Sequence, residues 1–145
     1  MAFHPYLAFA GNCREAFTRY QEVFGGELVL LPLGEMPADD GPPPEGMGAD
    51  QIGHAALMVG DELLMGADAP AGALDGGVRG ICVNRSMASQ DEAARVFDAL
   101  AEGGEVQMPL TPTFFSPAFG MCTDRFGIPW MLMVEDPNAS GMPTT

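Results

Sequence analysis

His54 is one of two histidines in this 145-residue chain, and it stands inside an apolar run, Ile52 to Val59. A second run, Glu62 to Ala67, follows after Gly60-Asp61, a dipeptide of the kind that closes two-residue hairpins. Such a turn pairs Val59 with Glu62, Ala56 with Met65 and His54 with Ala67. His54 and Met65 then share one face of the hairpin. Two roles fit this histidine: a neutral imidazole that orients or deprotonates a ligand, or a core side chain bonded to backbone. No carboxylate partner is visible nearby in the sequence.

The other chemically suggestive residues are soft and apolar. Met65, Met108, Met121, Met131 and Met133 recur with Phe114, Phe115, Phe119 and Trp130. Together they form either an adaptable apolar pocket or plain strand core. The segment Thr111 to Pro117 holds two prolines and three hydroxyls, and is expected to be a fixed, irregular stretch whose polar groups orient a ligand. Cys13 falls in the first turn of an expected helix, where a thiol is either activated or simply buried.

Several chemistries are excluded by pattern. There is no GxSxG elbow, no P-loop and no GxGxxG after a strand. The three cysteines, Cys13, Cys82 and Cys122, have no CxxC spacing. Their odd number suggests reduced thiols in a cytoplasmic protein. Twenty acids face six arginines and no lysine, a net charge of -14. That balance repels nucleic acid and anionic membrane surfaces. No apolar run reaches the ~20 residues needed to span a bilayer, and the N-terminus has no signal-peptide pattern.

These residues must be positioned by elements that come in two sets. Glu15-Ala16-Phe17, Tyr20, Phe24, Gly25-Gly26 and Glu27-Leu28 recur as Glu92-Ala93-Ala94, Phe97, Leu100, Gly103-Gly104 and Glu105-Val106. The repeat implies two equivalent modules, neither large enough to bury a core alone. In the first, Phe3 to Phe9 reads as a strand, Asn12 as N-cap of a helix ending at Gly25-Gly26, and Leu28 to Leu33 as a strand. The hairpin follows after a Pro-rich loop, Gly34 to Gly48, expected to act as a lid. In the second, Val78 to Val83 reads as a strand and Ser89 caps a helix with Glu92 three residues on. Strands near Val106 to Met108, Ala118 to Thr123 and Trp130 to Val134 complete it. Each module is therefore βαβββ within one α+β domain of residues 1-135: module one about 1-68, module two about 78-135, and a tail at 136-145.

The blocks Tyr6-Leu7-Ala8-Phe9, Gly11-Asn12-Cys13, Glu15-Ala16-Phe17, Val23-Phe24-Gly25-Gly26 and Ile52-Gly53-His54-Ala55 carry a resemblance. So do Met108-Pro109-Leu110, Thr113-Phe114, Phe119-Gly120 and Asp124-Arg125-Phe126-Gly127 with Trp130-Met131. From about Tyr6 to Met133 the chain resembles the PhnB-like branch of the glyoxalase/bleomycin-resistance (vicinal oxygen chelate) superfamily. The resemblance implies two βαβββ modules whose mixed sheets curl into an open half-barrel around a cavity, and a homodimer.

In the superfamily's enzymes a divalent metal is held by His, Gln or Glu on the first and last strands of each module. Those positions fall here at or beside Pro5, at Val78, and near Met65 and Met131; a one-residue slip brings in His4, Arg79 and Trp130. Proline and valine have no side-chain donor, thioether sulfur suits hard cations poorly, and His4 lies on the wrong strand face. The expectation is no metal, no cofactor, and a small organic ligand bound by His54, Met65, Thr113, Phe115, Trp130 and Met131. The alternative is an enzyme of lyase, isomerase or dioxygenase type, using His54 or an unorthodox metal site.

Overall fold

The computed structural model describes residues 2–37 and 43–136. Two compact units divide the chain, Met1–Gly77 and Val78–Thr145. Each contains a four-stranded mixed sheet and one long helix.

Unit one begins with β1 (Tyr6–Phe9), followed by α1 (Cys13–Phe24), β2 (Glu27–Pro32), β3 (Ile52–Val59) and β4 (Glu62–Asp68). The sheet order is β1-β4-β3-β2, with β1 parallel to β4 and the other pairs antiparallel. A parallel neighbour requires a crossover. Here the chain leaves β1, crosses one face of the sheet as α1, and meanders back through β2, β3 and β4. The helix buries Cys13, Ala16, Phe17, Tyr20 and Val23, the 3–4 spacing of one apolar stripe. Phe17 meets Phe9 and Tyr20 edge-on at 5.9 and 5.6 Å between ring centroids. The hairpin register is the one a two-residue turn dictates, Val59 opposite Glu62 and Ala56 opposite Met65.

Unit two repeats the order with β5 (Val83–Met87), α2 (Gln90–Ala101), β6 (Glu105–Thr111), β7 (Phe119–Thr123) and β8 (Pro129–Val134), arranged β5-β8-β7-β6. Ser89 caps α2, its side chain accepting from the Glu92 amide at 3.2 Å. Ala93, Val96, Phe97 and Leu100 form the buried stripe. Trp130, Leu132 and Val134 of β8 are buried as well.

Two expectations are corrected. Val78 to Val83 is not a strand: Gly80 sits at φ +78° and breaks the extended run, Ile81 is 72% exposed, and β5 starts only at Val83. The register pairs Tyr6 with Met65 in unit one and Asn84 with Met131 in unit two. The first-strand position of the second module is therefore at Asn84, not at Val78 or Arg79. Nor does the Asn12 side chain cap α1. Its ψ of 24° departs from the extended backbone of a capping residue, and its Oδ1 has no hydrogen-bond partner. The cap comes from the end of β4, where buried Asp68 accepts from the Cys13 amide at 3.0 Å and the Ile52 amide at 2.8 Å. One carboxylate thus ties the helix N-terminus to two strands and complements the helix dipole. Of the expected lid, Gly34 and Glu35 belong to a 3-10 turn, Leu33–Glu35, while residues 38–42 lie outside the described residues, as does most of the tail, 137–145.

Candidate functional site

Side chains alternate across a sheet, so each unit has one face under its helix and one open face. Gly66 marks the helix side in unit one, since a Cβ there would lie 2.8 Å from the Phe17 ring. Met65 is next to it and faces the other way. Across the open face runs a row of cross-strand neighbours: Val29, Ala56, Met65 and Tyr6, on β2, β3, β4 and β1. One step along, Leu31 stands opposite His54. The surface is apolar and accessible, with Tyr6 53% and Val29 50% exposed.

Its polar feature is a pair. The Tyr6 hydroxyl lies 3.1 Å from Nδ1 of His54, with the rings tilted at 34°. Partial burial raises the Tyr6 phenol above its ordinary value, with a smaller contribution from the charge of Cys13. The phenol therefore keeps its proton at neutral pH. Tyr6 was not among the expected site residues. Proximity to Pro5 was the available signal, but β1 had to be placed against β4 before Tyr6 could be seen beside Met65.

Unit two presents the matching row Met108, Met121, Met131 and Asn84, followed by Thr111, Phe119, Met133 and Ser86. The segment after β6 is folded by Thr113, whose Oγ1 accepts from the Ser116 amide at 3.1 Å. Phe115 is packed edge-on against Phe119 at 5.1 Å, and Phe114 against Phe115 at the same distance. Phe114 itself is 94% exposed. Below this segment Ser116 is a latch, bonded to the backbone of both Ala118 and Val134.

Of the expected ligand residues, the first sheet brings His54 and Met65 onto one face. The second places Met131 on its open face, and Phe115 packs edge-on against Phe119 of that face. Thr113 serves the turn. Trp130 is on the opposite side: it is 2% exposed, under α2, with its indole N–H donated to Asp124 at 2.9 Å. A ligand on the open face would not touch it.

Cys13 and Cys122 are buried, and burial pushes their thiols up to about 12 and about 11, aided by the carboxylates of Asp68 and Asp124 respectively. Cys13 is therefore no nucleophile at neutral pH, despite its place in the first helical turn. All three cysteines are free and Cys82 is half-exposed. Ellman's reagent at pH 8 is expected to titrate Cys82 within minutes, and the other two only on unfolding. Raised folded values mean that the thiols support the fold below the ordinary cysteine range. That support drains away as pH climbs through about 11 and about 12. An alkaline melting series checks the direction.

Among the described residues no group of three or more His, Cys, Asp or Glu could hold a metal ion, and no helix is long and apolar enough to cross a membrane.

Comparison with known proteins places these features. YjdN of Escherichia coli K12 is 37% identical over 142 residues, covering 92% of this chain and 95% of YjdN. The crystal structure of PA1353 from Pseudomonas aeruginosa is 46% identical, with a TM-score of 0.83, covering 93% of this chain and 98% of that one. The fosfomycin resistance protein FosX from Listeria monocytogenes shares the fold at 11% identity, with a TM-score of 0.62 and 96% of each chain covered. A point mutant of that FosX was solved with Mn(II) and 1S,2S-dihydroxypropylphosphonic acid. A family model described as 3-demethylubiquinone-9 3-methyltransferase matches residues 1–133. With two βαβββ units on the glyoxalase/bleomycin-resistance fold, the chain belongs to that PhnB-like family.

Proposed function

We propose that this chain is a cytoplasmic, homodimeric small-molecule-binding protein that works without the divalent metal of the superfamily's enzymes. One observation carries the reading. Where the first and last strands meet on the open faces, the residues are Tyr6 and Met65 in unit one, Asn84 and Met131 in unit two. Neither pair, a protonated phenol with a thioether or a neutral amide with a thioether, is a good donor set for Mn, Zn or Mg, which favour carboxylate, imidazole and water. The first face adds only the imidazole of His54. Such a set does not suit an ion of the kind held by the FosX mutant. The same faces are lined by methionine and aromatic side chains, which adapt to apolar ligands. Phe115 and Met131 offer contacts on unit two, and His54 with Met65 on unit one.

Methyl transfer, named in the family's description, is not part of this proposal. The Gly-x-Gly of note, Gly46-Met47-Gly48, follows a run of prolines and not a strand, so it lacks the strand-to-helix setting that seats a nucleotide-like cofactor. A second reading, a metal-free enzyme with His54 as base, is favoured by the place of that imidazole on the open face of the first sheet, beside the Met65 row. Elemental analysis of the purified protein is expected to show no stoichiometric divalent ion, and native mass spectrometry against metabolite pools to show retention without added metal. A bound ion that disappears in His54→Ala would overturn the proposal. Turnover abolished in that variant without any metal would establish the second reading instead.

A further inference from the structure

Resting on that reading of a metal-free binding face, we infer that unit one selects an uncharged, largely apolar ligand bearing a carbonyl-type oxygen, which accepts a hydrogen bond from His54 Nε2–H. Tyr6 acts as a positioning residue that sets the tautomer.

The contact at 3.1 Å between the Tyr6 hydroxyl and His54 Nδ1 can be made in two ways. Either the phenol donates to an unprotonated Nδ1, or a protonated Nδ1 donates to the phenol oxygen. A phenolic O–H is the stronger acid and the better donor, and the sp2 nitrogen of imidazole is the better acceptor. The first arrangement therefore prevails whenever the phenol holds its proton, and partial burial helps it do so. Neutral His54 then carries its hydrogen on Nε2, which has no hydrogen-bond partner among the described residues.

That nitrogen can donate but cannot accept, so in this tautomer it recognises an acceptor and does not remove a proton. Around it the open face offers Leu31, Ala56, Met65 and Val29, with no Lys or Arg in either row. A carboxylate would find no second cationic partner there, and it would enter the field of a chain of net charge -14. A neutral ketone, ester or amide oxygen on an apolar body fits both constraints.

Two measurements test this. Long-range 1H–15N correlation spectra of the wild-type protein should show His54 Nδ1 as the bare nitrogen and Nε2 as the protonated one. Tyr6→Phe should yield averaged shifts from two tautomers. A protonated Nδ1 in the wild type would overturn the inference, and needs no variant to be seen. Titrations with acetophenone and ethylbenzene, followed on the methyl resonances of Met65 and of Met58, which lies two residues beyond Ala56 on the same face of β3, supply the ligand arm. Acetophenone should bind about tenfold tighter, as expected for one hydrogen bond donated into an apolar site, and the difference should vanish in His54→Phe. Equal affinities would overturn the carbonyl assignment and leave the metal-free binding reading standing. Failure of both compounds to shift either methyl would overturn both.

Discussion

Asp124→Ala is expected to destabilise the second unit by about 3–5 kcal/mol and to lower its thermal midpoint by roughly 10 °C or more. The carboxylate is 4% exposed and sits in the turn between β7 and β8. Its Oδ1 accepts from the amides of Phe126 and Ile128 at 2.9 and 3.0 Å, and its Oδ2 from the indole of Trp130 at 2.9 Å. Alanine removes the acceptor shared by these three donors at a position that is 4% exposed. Asp124→Asn would keep an oxygen for the two amides but point an amide N–H at the indole N–H. The expected loss is intermediate, about 2 kcal/mol. Trp130 is the sole tryptophan, so its emission reports this site directly during chemical unfolding. A midpoint for Asp124→Ala within 2–3 °C of wild type, roughly 1 kcal/mol on this scale, would refute the account.

The second large effect separates two adjacent glycines. Gly25 and Gly26 both have left-handed φ, +75° and +90°. A side chain at Gly25 meets nothing within 4 Å, whereas a Cβ at Gly26 would overlap the Met58 carbonyl. Gly25→Ala therefore carries only the conformational cost of a side chain at φ +75° and ψ -158°, a region used almost solely by glycine, about 1–3 kcal/mol. Gly26→Ala adds steric displacement of a strand backbone that cannot rotate away, and about 3–5 kcal/mol is expected in total. Gly104 is the repeat's counterpart: a Cβ there would overlap the Thr123 carbonyl, but the residue is not among those with positive φ. Gly104→Ala should fall between the other two. Urea midpoints for the three variants give the order. Equal losses at Gly25 and Gly26 would show that φ alone governs this turn.

Asp68 and Asp124 illustrate how the two units reach similar folds by unlike means. In unit one the buried carboxylate caps the helix from the last strand; in unit two Ser89 caps locally and the buried carboxylate instead closes a β-turn. The sequence repeat covers the helix stripe and the glycine pair, both needed to seat a helix on a sheet. It does not extend to the caps, where a donor can be satisfied by any nearby oxygen.

Much of this was legible in the chain alone, wherever the signal is short-ranged. A two-residue turn at Gly60-Asp61 dictates the register of β3 on β4, and with it the shared face of His54 and Met65. Ser89 and Glu92 mark the start of α2 because capping acts within one turn. Helical spacing of apolar residues marks both buried stripes. What only the tertiary structure decided depends on partners far apart in sequence. β5 is a polar edge strand, placed by pairing with the distant β8, and the apolar run before it, Val78 to Val83, stays outside the sheet up to its last residue. Met131 and Trp130 are sequence neighbours, yet alternation sends one to the open face and the other beneath α2. Tyr6 meets His54 because a parallel crossover lays β1 against β4, and no local pattern encodes that encounter.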